Sequence, residues 1–344
     1  MLYFVIGLPG RFTEWCDTAT AAIARRALGS TELFRADTLE EISLAMIRSG
    51  AARAVVASRQ PGGRLRAALV EAGRTFVVVI EDPRIALAEA VQAGKDLASA
   101  VQLVANSCAG IARIAPSPGA LALFRDCVAN DPIGVLQAIA DHLSLSLGDT
   151  ELIEIVDSLA AAGLKAPERD EPFKWVGVEE NEKRIVGGAL DPFIEYLSTG
   201  ELRSIVWERE LFFLGDRPNE RADGLVDITG RARCLLHGPY IMLPPGPWSL
   251  SLSLLFSSGT VDHDFVIEVV GDQHVASCTI RPQTEGVHEA NLRFTLEPTT
   301  DHPTAIRLSS QRAAFDGTVA LLRANLIPDE TAVPDRLPAV AVPG

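Results

Sequence analysis

The first residues that could do chemistry lie in the turn Gly7-Leu8-Pro9-Gly10, between the apolar run at residues 2–6 and an amphipathic stretch. A strand that enters a helix through a glycine-containing turn directs backbone N–H groups and the helix dipole at an anion. Arg11 adds a cation beside the turn. The segment lacks the GxxxxGK[ST] pattern, so a purely structural turn is an equal alternative to a phosphate site.

This turn resembles the opening motif of the sulfotransferase family, G-x-P-[RK]-S-G-T-T-W. Gly7, Pro9, Thr13 and Trp15 match it, whereas Gly10 replaces its basic residue. The resemblance covers about residues 1–160 and implies a P-loop-like fold that uses 3′-phosphoadenosine 5′-phosphosulfate. By this resemblance, the cofactor-binding candidates at the turn are Gly7, Pro9, Gly10, Arg11 and Thr13.

A second segment carries the same resemblance. Residues 77–84 end where the family has R-[DN]-P-[RK], whose first arginine holds the 3′-phosphate of the cofactor. Here Glu81 replaces that arginine, and Glu89 replaces a serine eight residues later. Asp131-Pro132 opens a third segment that resembles the late helix of the family. Because two carboxylates oppose a phosphate, we expect the cofactor to bind weakly or not at all.

Three charged residues are candidates for chemistry near this turn. A base must reach the acceptor hydroxyl, and Glu14 is the catalytic candidate because it directly follows the turn. A charge in the first turn of a helix is the structural alternative for Glu14. Arg59 follows a strand and Arg84 opens a helix, so both could bind the phosphates of some nucleotide. The structural alternative is that Arg59 and Arg84 are solvated surface residues, which is the commoner role of an arginine at the start of a loop or helix.

The second half of the chain changes to a period of two. Trp248 and every second residue up to Phe256 are apolar, and Ser249, Ser251 and Ser253 lie between them. The same alternation recurs at residues 265–269, 292–296, 306–308 and 319–321, with turn residues between these runs. This pattern predicts an antiparallel β-sandwich with Trp248 in its core.

Residues 223–328 resemble the carbohydrate-binding-like, jelly-roll-like sandwiches appended to bacterial polysaccharide enzymes. The resemblance rests on Asp227-Ile228-Thr229-Gly230, on residues 237–246 with Trp248, and on Phe315-Asp316-Gly317. Proteins hold sugars with an aromatic face and polar partners for the hydroxyl groups. The carbohydrate-binding candidates are His237, Tyr240 and His288, with His263 as a further possibility.

The order of elements predicts two domains, as expected for 344 residues. Strands at residues 2–6, 54–57 and 75–80 alternate with helices, which indicates a three-layer α/β domain with a parallel sheet. Helical patterns then run from residue 85 to about 159, and a short helix is expected near residues 193–197. Thr13 is a possible N-cap of the first helix, Thr38 and Glu41 have capping-box spacing, and Asp131 can cap a helix with Pro132 at its first position. The polar residues 165–185 are the boundary candidate. We expect the sulfotransferase-like domain at 1–165, a connecting segment at 166–222, the sandwich at 223–330 and a flexible tail at 331–344.

Composition limits the partners and the compartment. A net charge of -14 disfavours nucleic acid and anionic membranes. The five cysteines are far apart, which predicts buried thiols in a reducing compartment, and neither they nor the histidines have metal-site spacing. The first residues lack the basic region of a signal peptide, and we find no apolar segment of about 18 residues. We therefore expect a cytoplasmic protein without membrane insertion.

Three functions are compatible with these residues. The chain could be an active carbohydrate sulfotransferase, or a transferase that uses another nucleotide in the same cleft. It could also be a catalytically silent relative that binds a glycan or acts as a scaffold for polysaccharide-biosynthesis proteins. The altered cofactor motifs favour the silent relative, in bacterial surface-polysaccharide metabolism.

Overall fold

The computed structural model describes residues 1–166, 179–297 and 302–329. The described residues form two compact units, one from residues 1–95 and 107–166 and the other from residues 96–106, 179–297 and 302–329. The predicted boundary at residues 165–185 lies partly outside the described residues, and the predicted tail at 331–344 lies wholly outside them.

The first unit is built on a five-stranded parallel sheet, here called sheet 1. The strands are short, and all except the edge strand β2, whose sequence is ELFR, are almost entirely apolar, as expected for strands that are covered on both faces. The strand order is β2-β3-β1-β4-β5, and every described pair is parallel. The strands are β1 (Leu2–Gly7), β2 (Glu32–Arg35), β3 (Ala54–Ser58), β4 (Phe76–Ile80) and β5 (Ala120–Phe124).

Helices cover both faces of sheet 1. In chain order, the helices up to residue 161 are α1 (Arg11–Leu28), α2 (Leu39–Ser49), α3 (Gly63–Glu71), α4 (Pro83–Gln92), α5 (Leu97–Ile114), α6 (Arg125–Asn130), α7 (Pro132–His142) and α8 (Asp149–Ala161). The part of α5 up to Asn106 belongs to the second unit. The connection from β1 to β2 runs opposite to those from β2 to β3 and from β3 to β4. Right-handed crossovers therefore place α1 on one face and α2 and α3 on the other. On its face, α1 shares a core with α7 and α8. The predicted three-layer α/β architecture is confirmed.

Local signals positioned several helices correctly. Thr38 forms the predicted capping box with Glu41, and Asp131 caps α7 with Pro132 at the first helical position. Two predictions were wrong. Helix α1 begins at Arg11 with Gly10 as its N-cap, so Thr13 lies inside the helix rather than capping it. Strand β5 lies within the stretch that was predicted to be helical throughout.

Helix α5 is the one helix among the described residues that passes a length and hydropathy test for a membrane span. Its 18 residues are long and apolar enough to cross a membrane, which the sequence analysis overlooked, but 61% of them are buried inside the protein. That degree of burial is typical of a core helix.

All five cysteines are free. Cys16 and Cys108 are buried as predicted, whereas Cys127, Cys234 and Cys278 are only half-buried.

The second unit contains two antiparallel sheets, which confirms the predicted sandwich. Sheet 2 has the order β13-β10-β15-β6, with β8 also paired to β15, and sheet 3 has the order β12-β11-β14-β9-β7. The strands are β6 (Ile205–Glu208), β7 (Phe213–Leu214), β8 (Val226–Asp227), β9 (Cys234–Ile241), β10 (Gly246–Phe256), β11 (Phe265–Val270), β12 (His274–Ile280), β13 (Gly286–Leu296), β14 (Thr304–Ser310) and β15 (Thr318–Pro328).

Alternating side chains from both sheets form the sandwich core. Trp248 is buried as predicted, and its indole N–H donates to the carbonyl of Pro244 at 3.0 Å. Phe256 of β10 packs on Phe265 of β11 with ring centroids 5.0 Å apart, which joins the two sheets. Strands β6 and β7 belong to these sheets although they precede residue 223. A helix of this unit, α9 (Glu180–Thr199), packs against β6.

Candidate functional site

The turn after β1 lies at the carboxyl edge of sheet 1. Because the connections from β1 and β3 leave in opposite directions, this edge is the topological switch point at which open α/β sheets bind ligands. Helix α1 begins there at Arg11, so the N–H groups of its first turn face the edge. The backbone thus keeps the anion-binding geometry that the resemblance implies.

A carboxylate of the protein itself occupies the start of α1. The backbone N–H of Arg11 donates to Glu89 Oε2 at 2.6 Å. A Cβ atom added at Gly10 would lie 2.8 Å from Glu81 Oε1 and 3.0 Å from Glu89 Oε2. Both carboxylates therefore crowd the turn, and Glu89 takes the hydrogen bond that a phosphate oxygen would need.

Glu81 is held in place from the neighbouring strand. It follows β4 and is buried, and Arg125, which follows β5, places a guanidinium nitrogen 3.3 Å from Glu81 Oε2.

Burial, with Asp17 and Glu81 nearby, raises the pKa of the Cys16 thiol well above its ordinary value. Cys16 is therefore a neutral thiol at physiological pH and not a nucleophile.

Arg59 is likewise engaged inside the fold. Its guanidinium forms an ion pair with Asp17, a residue that is only 2% exposed. Burial raises the pKa of Asp17, and the charge of Arg59 partly opposes that effect. The loop that carries Arg59 is fixed by Asp37, whose Oδ1 accepts from Ser58 Oγ at 2.6 Å and from the N–H groups of Arg59 and Gln60 at 2.8 Å.

The other predicted charges also have internal partners. Arg84 pairs with Asp82 at 2.6 Å, and Asp82 in turn caps α4 by accepting from the N–H of Arg84 at 2.9 Å. Glu14, the predicted base, pairs at 2.6 Å with Arg35 at the surface. The structure therefore brings Glu14 to Arg35 and not to the cluster of Glu81 and Glu89.

The remaining turn residues serve packing. Thr13 is completely buried, and a Cβ atom added at Gly7 would lie only 2.6 Å from its methyl group and 2.8 Å from Val79 Cβ. Gly7 is therefore required where strand and helix approach closely. Pro9 and Gly10 are half-buried, and the Arg11 side chain is exposed.

These residues do not fit a doubly phosphorylated nucleotide. Its phosphates would meet Glu81 and Glu89 at the start of α1. The arginines nearby, Arg59, Arg84 and Arg125, already neutralise carboxylates of the fold. No three His, Cys, Asp or Glu side chains converge as metal ligands within the described ranges.

In the second unit, the structure brings two of the three predicted carbohydrate-binding residues together. The Tyr240 hydroxyl and His237 Nδ1 are hydrogen-bonded at 2.8 Å. Phe213 of β7 stacks on His237 at a centroid distance of 5.8 Å, and Arg221 lies 4.1 Å above the Phe213 ring. Burial, together with Arg307, lowers the pKa of His237.

Tyr240 is the most exposed ring of this cluster, at 36%. The amide of Asn106 donates to the Tyr240 carbonyl at 3.2 Å and accepts from the N–H of Met242 at 2.6 Å, which fixes the end of β9. His288 lies apart, on β13 of sheet 2, where it bonds the Thr284 carbonyl at 2.8 Å. His237 and His288 therefore belong to different sheets.

One surface was missed by the sequence analysis. A depression of about 420 Å³ lies on the outer face of sheet 2 and is lined mainly by Ser249, Ser251, Asn291, Arg293 and Ile327. The signal was present in the sequence, because serines occupy every outward position from 249 to 253. Outward serines are also common on a solvated sheet face, so the alternation alone does not reveal a site.

Comparisons with known proteins give structural neighbours only. No family model and no curated protein matches the chain. Solved structures similar to it include a sulfotransferase and carbohydrate-binding modules. Mouse sulfotransferase SULT7A1 complexed with PAP shares 13% identity, with a TM-score of 0.37, and the match covers 55% of this chain and 76% of that one.

The carbohydrate-binding neighbours match a smaller part of the chain. TmCBM61, solved with β-1,4-galactotriose, shares 12% identity with a TM-score of 0.25, over 37% of this chain and 88% of that one. The CBM36-1 domain of a xylanase from the hindgut metagenome of Trinervitermes trinervoides shares 7% identity with a TM-score of 0.26, over 37% and 98%. At these values, the fold assignment rests on the sheets described above and the function on the side chains.

Proposed function

We propose that the chain is a glycan-binding protein of bacterial surface-polysaccharide metabolism, and that its sulfotransferase-like unit does not transfer sulfate. The observation that carries this proposal is the hydrogen bond from the Arg11 N–H to Glu89, with Glu81 beside the same turn. The backbone N–H that would bind the phosphosulfate cofactor already donates to a carboxylate of the protein.

The electrostatic penalty for a nucleotide at this turn is large. A unit charge 4 Å from a like charge costs about 4 kcal/mol at an effective dielectric constant of 20, which is close to a thousandfold in affinity. Glu81 and Glu89 would both impose such a penalty. The nearby arginines could offset it only by releasing Asp17, Asp82 or Glu81, each of which would then be an unpaired carboxylate.

The glycan part of the proposal is supported by the sandwich. Its two sheets bury their apolar residues between them, and hydroxyl, amide and guanidinium groups remain on the outer face of sheet 2. Such groups are suited to the hydroxyl groups of sugars. We place the protein in the cytoplasm, with polysaccharide-biosynthesis proteins as partners, on the same proposal.

Isothermal titration with 3′-phosphoadenosine 5′-phosphate tests whether the turn after β1 binds the nucleotide. We expect no binding to the wild-type chain at ligand concentrations up to about 1 mM. Glu89→Ser frees the Arg11 N–H and should allow weak binding. Micromolar binding to the wild type that is lost in Arg11→Ala, or sulfate transfer to a glycan by the purified chain, would refute the proposal in favour of an active sulfotransferase.

A thermal-shift screen separates the remaining alternatives. A ligand that binds only the folded state raises the unfolding midpoint. We expect stabilisation by a glycan and none by nucleotides. Stabilisation by some other nucleotide alone would instead indicate a transferase that uses the same edge of sheet 1 with a different donor.

A further inference from the structure

The outer face of sheet 2 presents polar groups in register on two strands, with an apolar side chain beside them on a third. Ser249 of β10 lies opposite Arg293 of β13, and Ser251 lies opposite Asn291. On the other side of β10, Ser249 lies opposite Ile327 of β15. Trp248 and the alternate residues up to Phe256 point into the core, so these serines are directed outward.

These side chains line the depression of about 420 Å³ described above, which we call the serine cleft. Its volume lies within the range of about 300–1,000 Å³ that is usual for ligand sites. Because serine is small, its repetition along the central strand leaves room above the sheet where larger side chains would fill it. The neighbouring Arg293 and Asn291 side chains then stand at one side of the cleft.

Three polar groups of the serine cleft are available to a ligand. Within the parts of the chain that the structure describes, the Ser249 hydroxyl, the Asn291 amide and the Arg293 guanidinium have no hydrogen-bond or ion-pair partner. Ser251 Oγ makes only a long contact of 3.5 Å, to Glu289 Oε2. Among the described residues that line the cleft, Arg293 is the only charged one.

We propose that the serine cleft binds an acidic glycan, with a carboxylate or sulfate ester on Arg293 and sugar hydroxyls on Ser249, Ser251 and Asn291. This inference rests on the proposed function and names the site and the ligand class. The planar guanidinium matches both kinds of acidic group and can bind them through two parallel hydrogen bonds. Ile327, which is 45% exposed, offers an apolar surface to the C–H face of a sugar ring.

Affinity electrophoresis tests the ligand class with three probes in the gel. Polygalacturonate supplies carboxylates, carrageenan supplies sulfate esters, and unsubstituted galactan supplies neither. We expect one or both acidic polysaccharides to retard the full chain more strongly than galactan does. Comparison of the first two probes shows which acidic group is preferred. Retardation should weaken as salt concentration rises, because a charge pair contributes.

Variants locate the site. Arg293→Ala should weaken retardation about tenfold or more, as expected for a hydrogen-bonded charge pair. Arg231→Ala is the matched control, because Arg231 is an exposed arginine of the same sandwich outside the cleft, also without a partner among the described residues. Ser251→Trp should abolish retardation by filling the cleft. Arg293→Glu reverses the charge without adding bulk and gives an independent test if Ser251→Trp unfolds.

Several outcomes would overturn the inference. Retardation that is unchanged in Arg293→Ala and Arg293→Glu, or equal for galactan and the acidic probes, would refute an acidic ligand in this cleft. Retardation lost in Tyr240→Ala but kept in Ser251→Trp would place the glycan at His237 and Tyr240 and leave the proposed function intact. Absence of retardation by every glycan tested would refute the proposed function itself.

Discussion

The turn after β1 and the serine cleft differ in whether their polar groups are already bonded within the protein. At the turn, the N–H of Arg11 is bonded to Glu89 and the guanidinium of Arg59 to Asp17, so both donors are used within the fold. In the serine cleft, Ser249 and Arg293 face outward without a partner among the described residues. The backbone of the turn is the more suggestive of the two, yet its side chains leave less for a ligand.

This contrast shows that a binding geometry and a binding site are different properties. A strand, a turn and a helix set the direction of N–H groups, but a ligand also requires that those groups lack a better partner. A flat antiparallel face carries no such geometric signature. It becomes a candidate site only when its side chains are small, polar and unbonded.

The largest effect is expected for Arg59→Ala, which tests whether Arg59 is committed to its ion pair with Asp17. Removal of one partner from a buried ion pair leaves an uncompensated charge, and we expect the free energy of unfolding to fall by about 3 kcal/mol. Urea denaturation followed by circular dichroism measures this loss. The control is Arg35→Ala, whose pair with Glu14 is exposed and should be worth about 0–1 kcal/mol. Equal effects of the two variants would show that Arg59 is free for a ligand.

A smaller loss is expected for Glu89→Ala. Glu89 accepts from the first N–H of α1 and places a negative charge at the positive end of the helix dipole, so its removal should destabilise the protein by about 1 kcal/mol. Glu89→Gln keeps an acceptor and should lose less. If Glu89→Ala matches the wild type in urea denaturation, the carboxylate does not hold the turn closed.

Much of the fold followed from local patterns. The strand around Trp248 and the helix that begins after Thr38 could each be predicted from one short-range rule. Strand β5 was missed because its sequence, ALALF, lacks the β-branched residues that mark strands. Helix α9 was predicted only near residues 193–197, because Pro192 lies inside it and Pro ordinarily breaks a helix.

The candidate site was less accessible to sequence reasoning. Arg11 and Glu89 are 78 residues apart, and Arg59 and Asp17 are 42 apart, so no local spacing predicts either contact. The motif comparison did identify Glu81 and Glu89 as residues that oppose a phosphate. It could not show that Glu89 would itself occupy the helix start, because that depends on how α4 is placed beside α1.

Thr13→Val should stabilise the protein. Thr13 Oγ1 is buried and makes no hydrogen bond to any described residue, and an unsatisfied buried hydroxyl costs about 1 kcal/mol or more. Thr20→Val is a matched control on the same helix, because the equally buried Thr20 hydroxyl donates to the Cys16 carbonyl at 2.8 Å and its loss should destabilise. Destabilisation by both variants would mean that Thr13 has a partner at the turn, as a ligand-binding threonine would.

The smallest expected effect concerns His237, where the sandwich also satisfies groups internally. Burial and the charge of Arg307 lower its pKa, so the folded state binds a proton less readily than the unfolded chain. The stability associated with His237 is therefore present above the ordinary pKa of about 6.5 and is lost as pH falls through that value toward the lowered one. An NMR titration should show the low pKa, and Arg307→Ala should raise it, whereas Arg231→Ala should not. If the pKa of His237 does not change in Arg307→Ala, the imidazole is open to solvent. The contrast between the aromatic residues around His237 and the serine cleft would then disappear.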